Sequence, residues 1–157
     1  MNASLPDLSA FWMPFMSHDG RQILDGTAGL WCVNAGHCRA DGRRGRKRAT
    51  IDLYEREGLF GRAAQMAPIF EREIHKLRGE PHVIDVRNLG LVGGVELEPR
   101  EGAPGARAYE TFVRCYQKGV LIRYTGDILA FSPPLIVDEK QIEEIFSTVA
   151  LVLREVD

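Results

Sequence analysis

The sequence predicts an α+β domain, in which short strands pack beneath separate helices. Apolar residues recur at intervals of three or four in three segments, which is typical of amphipathic helices. Between these segments lie short runs of alternating or continuous apolar residues bounded by Gly and Pro, which is typical of strands. The 157 residues are 45% hydrophobic and 27% charged, which fits one globular domain and excludes collagen-like and wholly disordered chains.

The first helical pattern ends before Gly79 and places six apolar residues on one face: Leu59, Ala63, Met66, Phe70, Ile74 and Leu77. Pro68 lies inside this pattern. Because proline has no N–H and its ring crowds the preceding turn, we expect it to kink the helix or to remove one hydrogen bond.

Two strands are predicted next, from His82 to Asn88 and from Leu91 to Glu98. Glycines stand at positions 90, 93 and 94 around the second strand. A phosphate-binding loop would lead into a helix N-terminus, whereas these glycines lead into a strand. We therefore expect them to serve close packing or a bulge.

A second helix is predicted by an apolar stripe that ends at Gly119, formed by Tyr109, Phe112, Val113 and Tyr116. Residues 120–124 and 128–132 then read as two short strands. The Thr-Gly-Asp sequence at 125–127 is a turn signal, which makes a β-hairpin the expected arrangement.

The last predicted helix begins with Asp138 and Gln141, which have the spacing of a capping box. Its apolar face consists of Ile142, Ile145, Phe146, Val149 and Leu153.

Charge is unevenly distributed along the chain. Six basic residues lie between Arg39 and Arg48, opposed there by Asp41 alone, although the whole chain has a formal net charge of −2. We call residues 38–48 the basic junction. Short basic runs can bind nucleic acid, but no aromatic residue is interleaved here, so a solvated loop is the favoured interpretation and nucleic-acid binding the weaker alternative.

Several other classes of site are disfavoured. Cys32, Cys38 and Cys115 form no C-x-x-C pair, which argues against a disulfide framework and favours a cytoplasmic location. Cys32, His37 and Cys38 make only a weak zinc pattern, and we expect no metal site. No apolar run approaches the roughly 20 residues of a membrane span, and residues 1–10 do not read as a secretory signal.

The N-terminal part contains a longer motif. Residues 19–37 read DGRQILDGTAGLWCVNAGH, preceded by FWMPF at 11–15. This segment resembles the N-terminal segment of class III pyridoxal-phosphate-dependent aminotransferases, in which a D-G-x-x-x-L-D strand precedes a Gly-rich stretch ending in Gly-His. The version with Leu30, Trp31 and Cys32 is similar to the omega-amino-acid (β-alanine)–pyruvate aminotransferases.

Residues after the basic junction resemble the same subfamily. The matching stretches are IDLYEREGLF from Ile51, EPHVIDVRNLGLVGGVELEPREGAPGARAYE from Glu80 and GVLIRYTGDILAFSPPLIV from Gly119. The resemblance implies an N-terminal aminotransferase segment at 1–37, a junction loop at 38–48 and a small C-terminal domain at 49–157. In fold-type I aminotransferases that domain is a short antiparallel sheet with helices on one side.

Two substrate-binding residues follow from the resemblance. Arg123 matches the arginine that binds the substrate carboxylate, and an arginine on a strand beside a turn suits a bidentate contact of that kind. Trp31 matches an aromatic residue that lines the substrate pocket and packs on the substrate. The family acts on amino acids and keto acids.

The chain departs from the family in one large respect. Family members have a large pyridoxal-phosphate domain, with the Schiff-base lysine, between the Gly-His motif and the helix that begins near Ile51. Here eleven residues join these parts, and none of the four lysines has the context of the cofactor lysine: Lys47, Lys76, Lys118 and Lys140. We therefore expect an internally deleted form with no catalytic residue, no stably bound pyridoxal phosphate and no transaminase activity on its own.

A second hypothesis is a non-enzymatic interaction module. The small domain of the family packs part of its surface on the large domain, so this chain is expected to expose an apolar patch. It would then pair with itself as a homodimer or with a full-length homologue.

Overall fold

The computed structural model describes residues 14–28, 34–35 and 47–157 of the chain. Trp31, Cys32, His37 and Cys38 lie outside the described residues, as does most of the basic junction. The predictions made for those positions therefore stay predictions.

The helices of the described part are α1 (Lys47–Arg56), α2 (Leu59–His75), a short 3-10 helix (Lys76–Gly79), α3 (Ala106–Gln117) and α4 (Glu139–Leu153). The strands are β1 (Pro14–Met16), β2 (Gln22–Asp25), β3 (Val83–Leu89), β4 (Val92–Leu97), β5 (Val120–Leu121), β6 (Arg123–Thr125) and β7 (Ile128–Phe131). Among these described helices none is both long and apolar enough to cross a membrane.

Two sheets form. The larger has the strand order β3-β4-β7-β6, and every neighbouring pair in it is antiparallel. The smaller has the order β1-β2-β5, in which β1 is antiparallel to β2 and β2 is parallel to β5. The smaller sheet joins the N-terminal strands to a strand that directly precedes β6.

The helices cover one face of the larger sheet. Phe146 of α4 stacks against Phe70 of α2 and Phe131 of β7, with ring centroids 5.1 Å apart in both pairs. Phe112 of α3 meets Tyr124 of β6 at 5.2 Å. The register of the strands puts Tyr124 and Phe131 on the same face. The predicted α+β class, an antiparallel sheet with helices on one side, is therefore confirmed.

Helix α2 matches its prediction. Leu59, Phe70 and Ile74 are buried, and the helix runs without interruption through Pro68. Pro68 is exposed, so the backbone carbonyl that loses its N–H partner lies on the solvent side, where water can satisfy it.

Helix α4 also matches. The Asp138 side chain accepts a hydrogen bond from the Gln141 backbone N–H at 2.9 Å, and the Gln141 side chain accepts one from the Asp138 N–H at 3.0 Å. This is the predicted capping box. The apolar face is buried as predicted: Ile142, Ile145, Phe146, Val149 and Leu153.

Helix α3 is present where the stripe predicts it, but the stripe is not its most deeply buried side. Tyr109 is 53% exposed, whereas Ala108, Thr111 and Cys115 are fully buried. Arg107 is buried with them because its guanidinium donates hydrogen bonds to the backbone oxygens of Glu98 and Asp157. A satisfied arginine can occupy a core-facing position, which the apolar pattern alone does not reveal.

The predicted strand at 120–124 divides in two. Val120–Leu121 pairs with β2, and Arg123–Thr125 forms the expected hairpin with β7. Ile122 lies between them and is buried. The division arises because the N-terminal segment supplies a partner strand that local sequence patterns do not predict.

Candidate functional site

Arg123 is the first residue of β6, at one edge of the larger sheet. Its cross-strand partner is Ala130 of β7, and the residue is exposed. The hairpin that carries it closes at Gly126, whose φ of 55° lies in the left-handed region favoured by glycine. Asp127 accepts a hydrogen bond from the Gly105 N–H at 2.7 Å, which attaches the turn to the start of α3.

The sheet face opposite the helices, which we call the open face, contains one row of four residues: Arg87, Gly94, Ala130 and Arg123. Residues in one row of an antiparallel sheet point to the same face. Gly94 and Ala130 separate the two arginines along the row, and the Arg87 side chain lies within 4 Å of the position that a Gly94 Cβ would take.

The two arginines of the open face differ in their surroundings. Arg87 donates to Asp85 at 2.5 Å and to Glu96 at 3.1 Å. These hydrogen bonds raise the pKa of Arg87. Two carboxylates thus surround Arg87 at the β3–β4 side of the sheet, while Arg123 stands at the opposite edge.

The N-terminal segment lies beside the β6–β7 hairpin. Gly26 donates its N–H to the Leu121 carbonyl at 2.9 Å and accepts the Ser132 N–H at 2.8 Å. Asp25 is fully buried, and its carboxylate accepts the Thr27 N–H at 2.9 Å and the Thr27 hydroxyl at 3.0 Å. Asp25 is the last residue of the D-G-x-x-x-L-D motif, but no role was predicted for Asp25 or Gly26. Their Asp-Gly-Thr sequence was available as a turn signal.

Two described residues that flank position 31 in the sequence are hydrogen-bonded to the segment that follows β7. The Thr27 backbone carbonyl accepts a hydrogen bond from the Ser132 hydroxyl at 3.3 Å, and the Asn34 backbone carbonyl accepts one from the Leu135 N–H at 2.8 Å. Residues on both sides of Trp31 in the chain are therefore attached to the segment that follows β7.

No nucleophile–base pair is formed by the histidines and the cysteine of the described part. Burial raises the pKa of the Cys115 thiol to about 12, so this group stays protonated and unreactive. His75 lies between Arg78 and Asn88, with its ring nitrogens 2.8 Å and 2.9 Å from their side chains. Within the described residues, no group of three or more His, Cys, Asp or Glu side chains is placed to hold a metal ion.

The sequence model of the family Aminotransferase class-III matches residues 47–153. The chain is 50% identical over 109 residues to an omega-aminotransferase of Caulobacter vibrioides and 36% identical over 101 residues to a beta-alanine–pyruvate aminotransferase of Pseudomonas aeruginosa. These alignments cover 69% and 64% of this chain. They cover only 25% and 22% of the relatives, so the chain spans about a quarter of the length of the curated proteins it matches.

Solved structures give the same result. A thermostable omega transaminase from Pseudomonas jessenii aligns over 68% of this chain and 25% of its own, with a TM-score of 0.64 and 30% identity. An adenosylmethionine-8-amino-7-oxononanoate aminotransferase from Methanocaldococcus jannaschii aligns over 70% of this chain and 26% of its own, with a TM-score of 0.62 and 27% identity.

Proposed function

Because this chain belongs to the class-III aminotransferase family, whose members are pyridoxal-phosphate-dependent, we propose that it is the substrate-binding part of such an enzyme. Arg123 binds the carboxylate of an amino acid or keto acid, and Trp31 lines the substrate pocket. The amino acid is an omega-amino acid such as β-alanine and the acceptor is pyruvate, since the Pseudomonas aeruginosa relative is named for that pair.

One observation supports this proposal above the others. Arg123 is exposed at the edge of the open face, in the same row as the small residues Gly94 and Ala130. The hairpin that carries it is hydrogen-bonded to Gly105 at its turn and to Gly26 at its base. A guanidinium presents parallel N–H groups that match the two oxygens of a carboxylate.

The described lysines do not fit covalent attachment of pyridoxal phosphate. A Schiff base requires an amine that loses its proton, and such lysines lie in apolar or cationic surroundings. Lys76 instead lies 2.6 Å from Glu73, and Lys118 lies 3.1 Å from Glu155. Lys140 is exposed in the first turn of α4. We assign no cofactor chemistry to these residues and propose that the chain does not transaminate by itself.

The proposed organisation keeps the boundaries of the resemblance: an N-terminal segment at 1–37, the basic junction at 38–48 and the small domain at 49–157. Pairing of β2 with β5 supports a chain in which these two parts meet directly. The family match begins at residue 47, at the end of the basic junction, which supports loss of the large domain at that point. The nucleotide sequence across codons 15 to 50 would carry the scar of such an excision.

The carboxylate site is tested by titrating the isotope-labelled chain with β-alanine and following NMR shifts. Arg123→Gln is expected to raise the Kd by about tenfold or more, because charge-assisted hydrogen bonds are among the strong ones in proteins. Arg87→Gln is the matched control, since it removes the same charge from the same face and is expected to leave the Kd nearly unchanged. Equal loss of binding in both variants would show nonspecific attraction to positive charge and reject the site.

The absence of transamination is tested by mixing the purified chain with pyridoxal phosphate. We expect no absorbance band of a protein-bound aldimine and no lysine adduct in mass spectra after borohydride reduction. A stoichiometric adduct on one lysine would overturn this part of the proposal.

The open face favours self-association as a second candidate function. Leu89 is 85% exposed and Val92 is 54% exposed, and both belong to the β3–β4 hairpin. Two copies of the face, packed sheet against sheet about a two-fold axis, would bury these exposed apolar side chains. Light scattering after size exclusion would detect the dimer, Leu89→Lys should dissociate it, and a clean monomer at high concentration would eliminate this candidate.

A further inference from the structure

The hairpin that carries Arg123 is held at its base by one residue of the N-terminal segment. Leu121 precedes Arg123 by two positions, and Ser132 follows its cross-strand partner Ala130 by two positions. The backbone of Gly26 is hydrogen-bonded to both, through its N–H to Leu121 at 2.9 Å and through its carbonyl to Ser132 at 2.8 Å. Gly26 therefore sets the spacing of the two strands on which Arg123 and Ala130 sit.

The approach of the chains at this point leaves no space for a side chain. A Cβ atom at Gly26 would stand 2.9 Å from the Leu121 carbonyl oxygen, and 3.9 Å from atoms of Ile122 and Ile145. Real Cβ atoms essentially never come within 3.0 Å of a backbone oxygen, and backbone cannot rotate away as a side chain can. Any residue other than glycine would push β5 outward and shift the start of β6.

The turn around Gly26 is fixed by the residues on either side. The buried carboxylate of Asp25 accepts two hydrogen bonds from Thr27, and Thr27 is itself only 4% exposed. Asp25 is also the register partner of Leu121 in the parallel pair. A buried, hydrogen-bonded turn of this kind resists displacement, because breaking it leaves polar groups without water.

We infer that Gly26 is a positioning residue for Arg123: it holds the base of the β6–β7 hairpin so that the guanidinium stands at a fixed place on the open face. The inference rests on the proposed carboxylate site at Arg123 and adds that the N-terminal segment determines its geometry. Asp25 and Thr27 support Gly26 in this role and do not themselves touch the substrate.

The test compares three glycine-to-alanine variants by β-alanine titration and thermal unfolding. Gly26→Ala is expected to raise the Kd by about fivefold or more, since a small misplacement of a binding group is costly. Gly61→Ala is the neutral control, because a Cβ there meets no atom within 4 Å. Gly93→Ala is the destabilising control, because its Cβ would crowd Phe70 and Ile74 on the helix-covered face, away from Arg123.

The two controls separate positioning from stability. If affinity falls only in Gly26→Ala, while Gly93→Ala lowers the Tm and keeps the wild-type Kd, the inference is supported. If the Kd of Gly26→Ala stays within about twofold of wild type while Arg123→Gln abolishes binding, the positioning role is wrong and the carboxylate site stands. If Arg123→Gln itself binds normally, the carboxylate site fails first.

A milder pair of variants covers the case in which Gly26→Ala does not fold. Thr27→Val removes the hydroxyl that donates a hydrogen bond to the Asp25 carboxylate, and Thr27→Ser keeps that hydroxyl. We expect weaker β-alanine binding in Thr27→Val and wild-type binding in Thr27→Ser. Equal Kd values for the two variants would contradict the positioning role of this turn.

Discussion

Positions 93 and 94 show how much the two faces of the sheet differ at the scale of one residue. Gly93 faces α2, where a Cβ would overlap the Ile74 side chain and stand 3.0 Å from the Phe70 ring. Gly94 faces the other way, where a Cβ would meet its nearest atoms at 3.7 to 3.9 Å, an ordinary contact distance. The expected close packing around these glycines therefore applies to Gly93.

Gly93→Ala is expected to lower the free energy of unfolding by about 1 to 3 kcal/mol, because overfilling a packed core forces its neighbours to move. Phe70 and Ile74 are almost fully buried and have little freedom to do so. Gly94→Ala is the matched control and should change stability by less than about 0.5 kcal/mol. Urea unfolding of both variants measures the difference, and comparable losses would mean that the two faces are equally packed.

At the scale of the element, α3 and α4 both have an apolar stripe in their sequence, but the two stripes differ in how deeply they are buried. The stripe of α4 is its buried face, whereas the stripe of α3 is half exposed. In α3 the ring of Tyr109 contacts that of Tyr124 at 5.5 Å, so the aromatic residues pack on one another at the surface. Aromatic residues of this kind satisfy the helical pattern without marking the core.

The start of α4 gives a prediction at this scale. Asp138→Ala removes the acceptor of the Gln141 N–H and should lower the free energy of unfolding by about 1 kcal/mol. Asp138→Asn is the conservative control, because asparagine caps helices nearly as well as aspartate. Thermal unfolding of the two variants measures the effect. Equal stability of Asp138→Ala and the wild type would show that the capping box contributes nothing in this protein.

At the scale of the whole molecule, the N-terminal strands and the later elements form one structure. Ile23 and Leu24 of β2 are buried, and the Leu24 N–H donates to the Gly119 carbonyl at 2.7 Å. Since a strand with buried residues cannot leave without exposing them, we expect the N-terminal segment to unfold together with the rest of the chain.

Ile23→Ala tests that expectation. Truncation of this fully buried side chain should lower the global free energy of unfolding by about 2 to 5 kcal/mol. Met16→Ala serves as the control, since Met16 is largely exposed at the end of β1. Denaturant unfolding followed by tryptophan fluorescence and by circular dichroism should give coincident transitions. A separate early transition affected by Ile23→Ala would instead show an independently unfolding segment.

Much of the fold was predictable because its signals are local. The capping box at Asp138, the hairpin turn at 125–127 and the apolar face of α2 each arise from residues close together in sequence, and all three were confirmed. The burial of Arg107 and the division of the strand at Ile122 were not predictable, because each depends on a partner 50 to about 100 residues away. The candidate site divides in the same way: the resemblance is the source of the prediction for Arg123, whereas the contacts of Gly26 are visible only in the structure.

The sequence by itself determined the α+β class, the capped start of α4 and the family, since periodicity, capping residues and long collinear motifs are properties of the chain order. Only the tertiary structure decided which face of α3 is buried, which strand pairs with β2 and what stands next to Arg123. These features depend on packing between segments that are distant in sequence. The hydrogen-bonded guanidinium of Arg107 can be buried in the core, and the absence of a Cβ at Gly26 allows two backbone segments to come into contact.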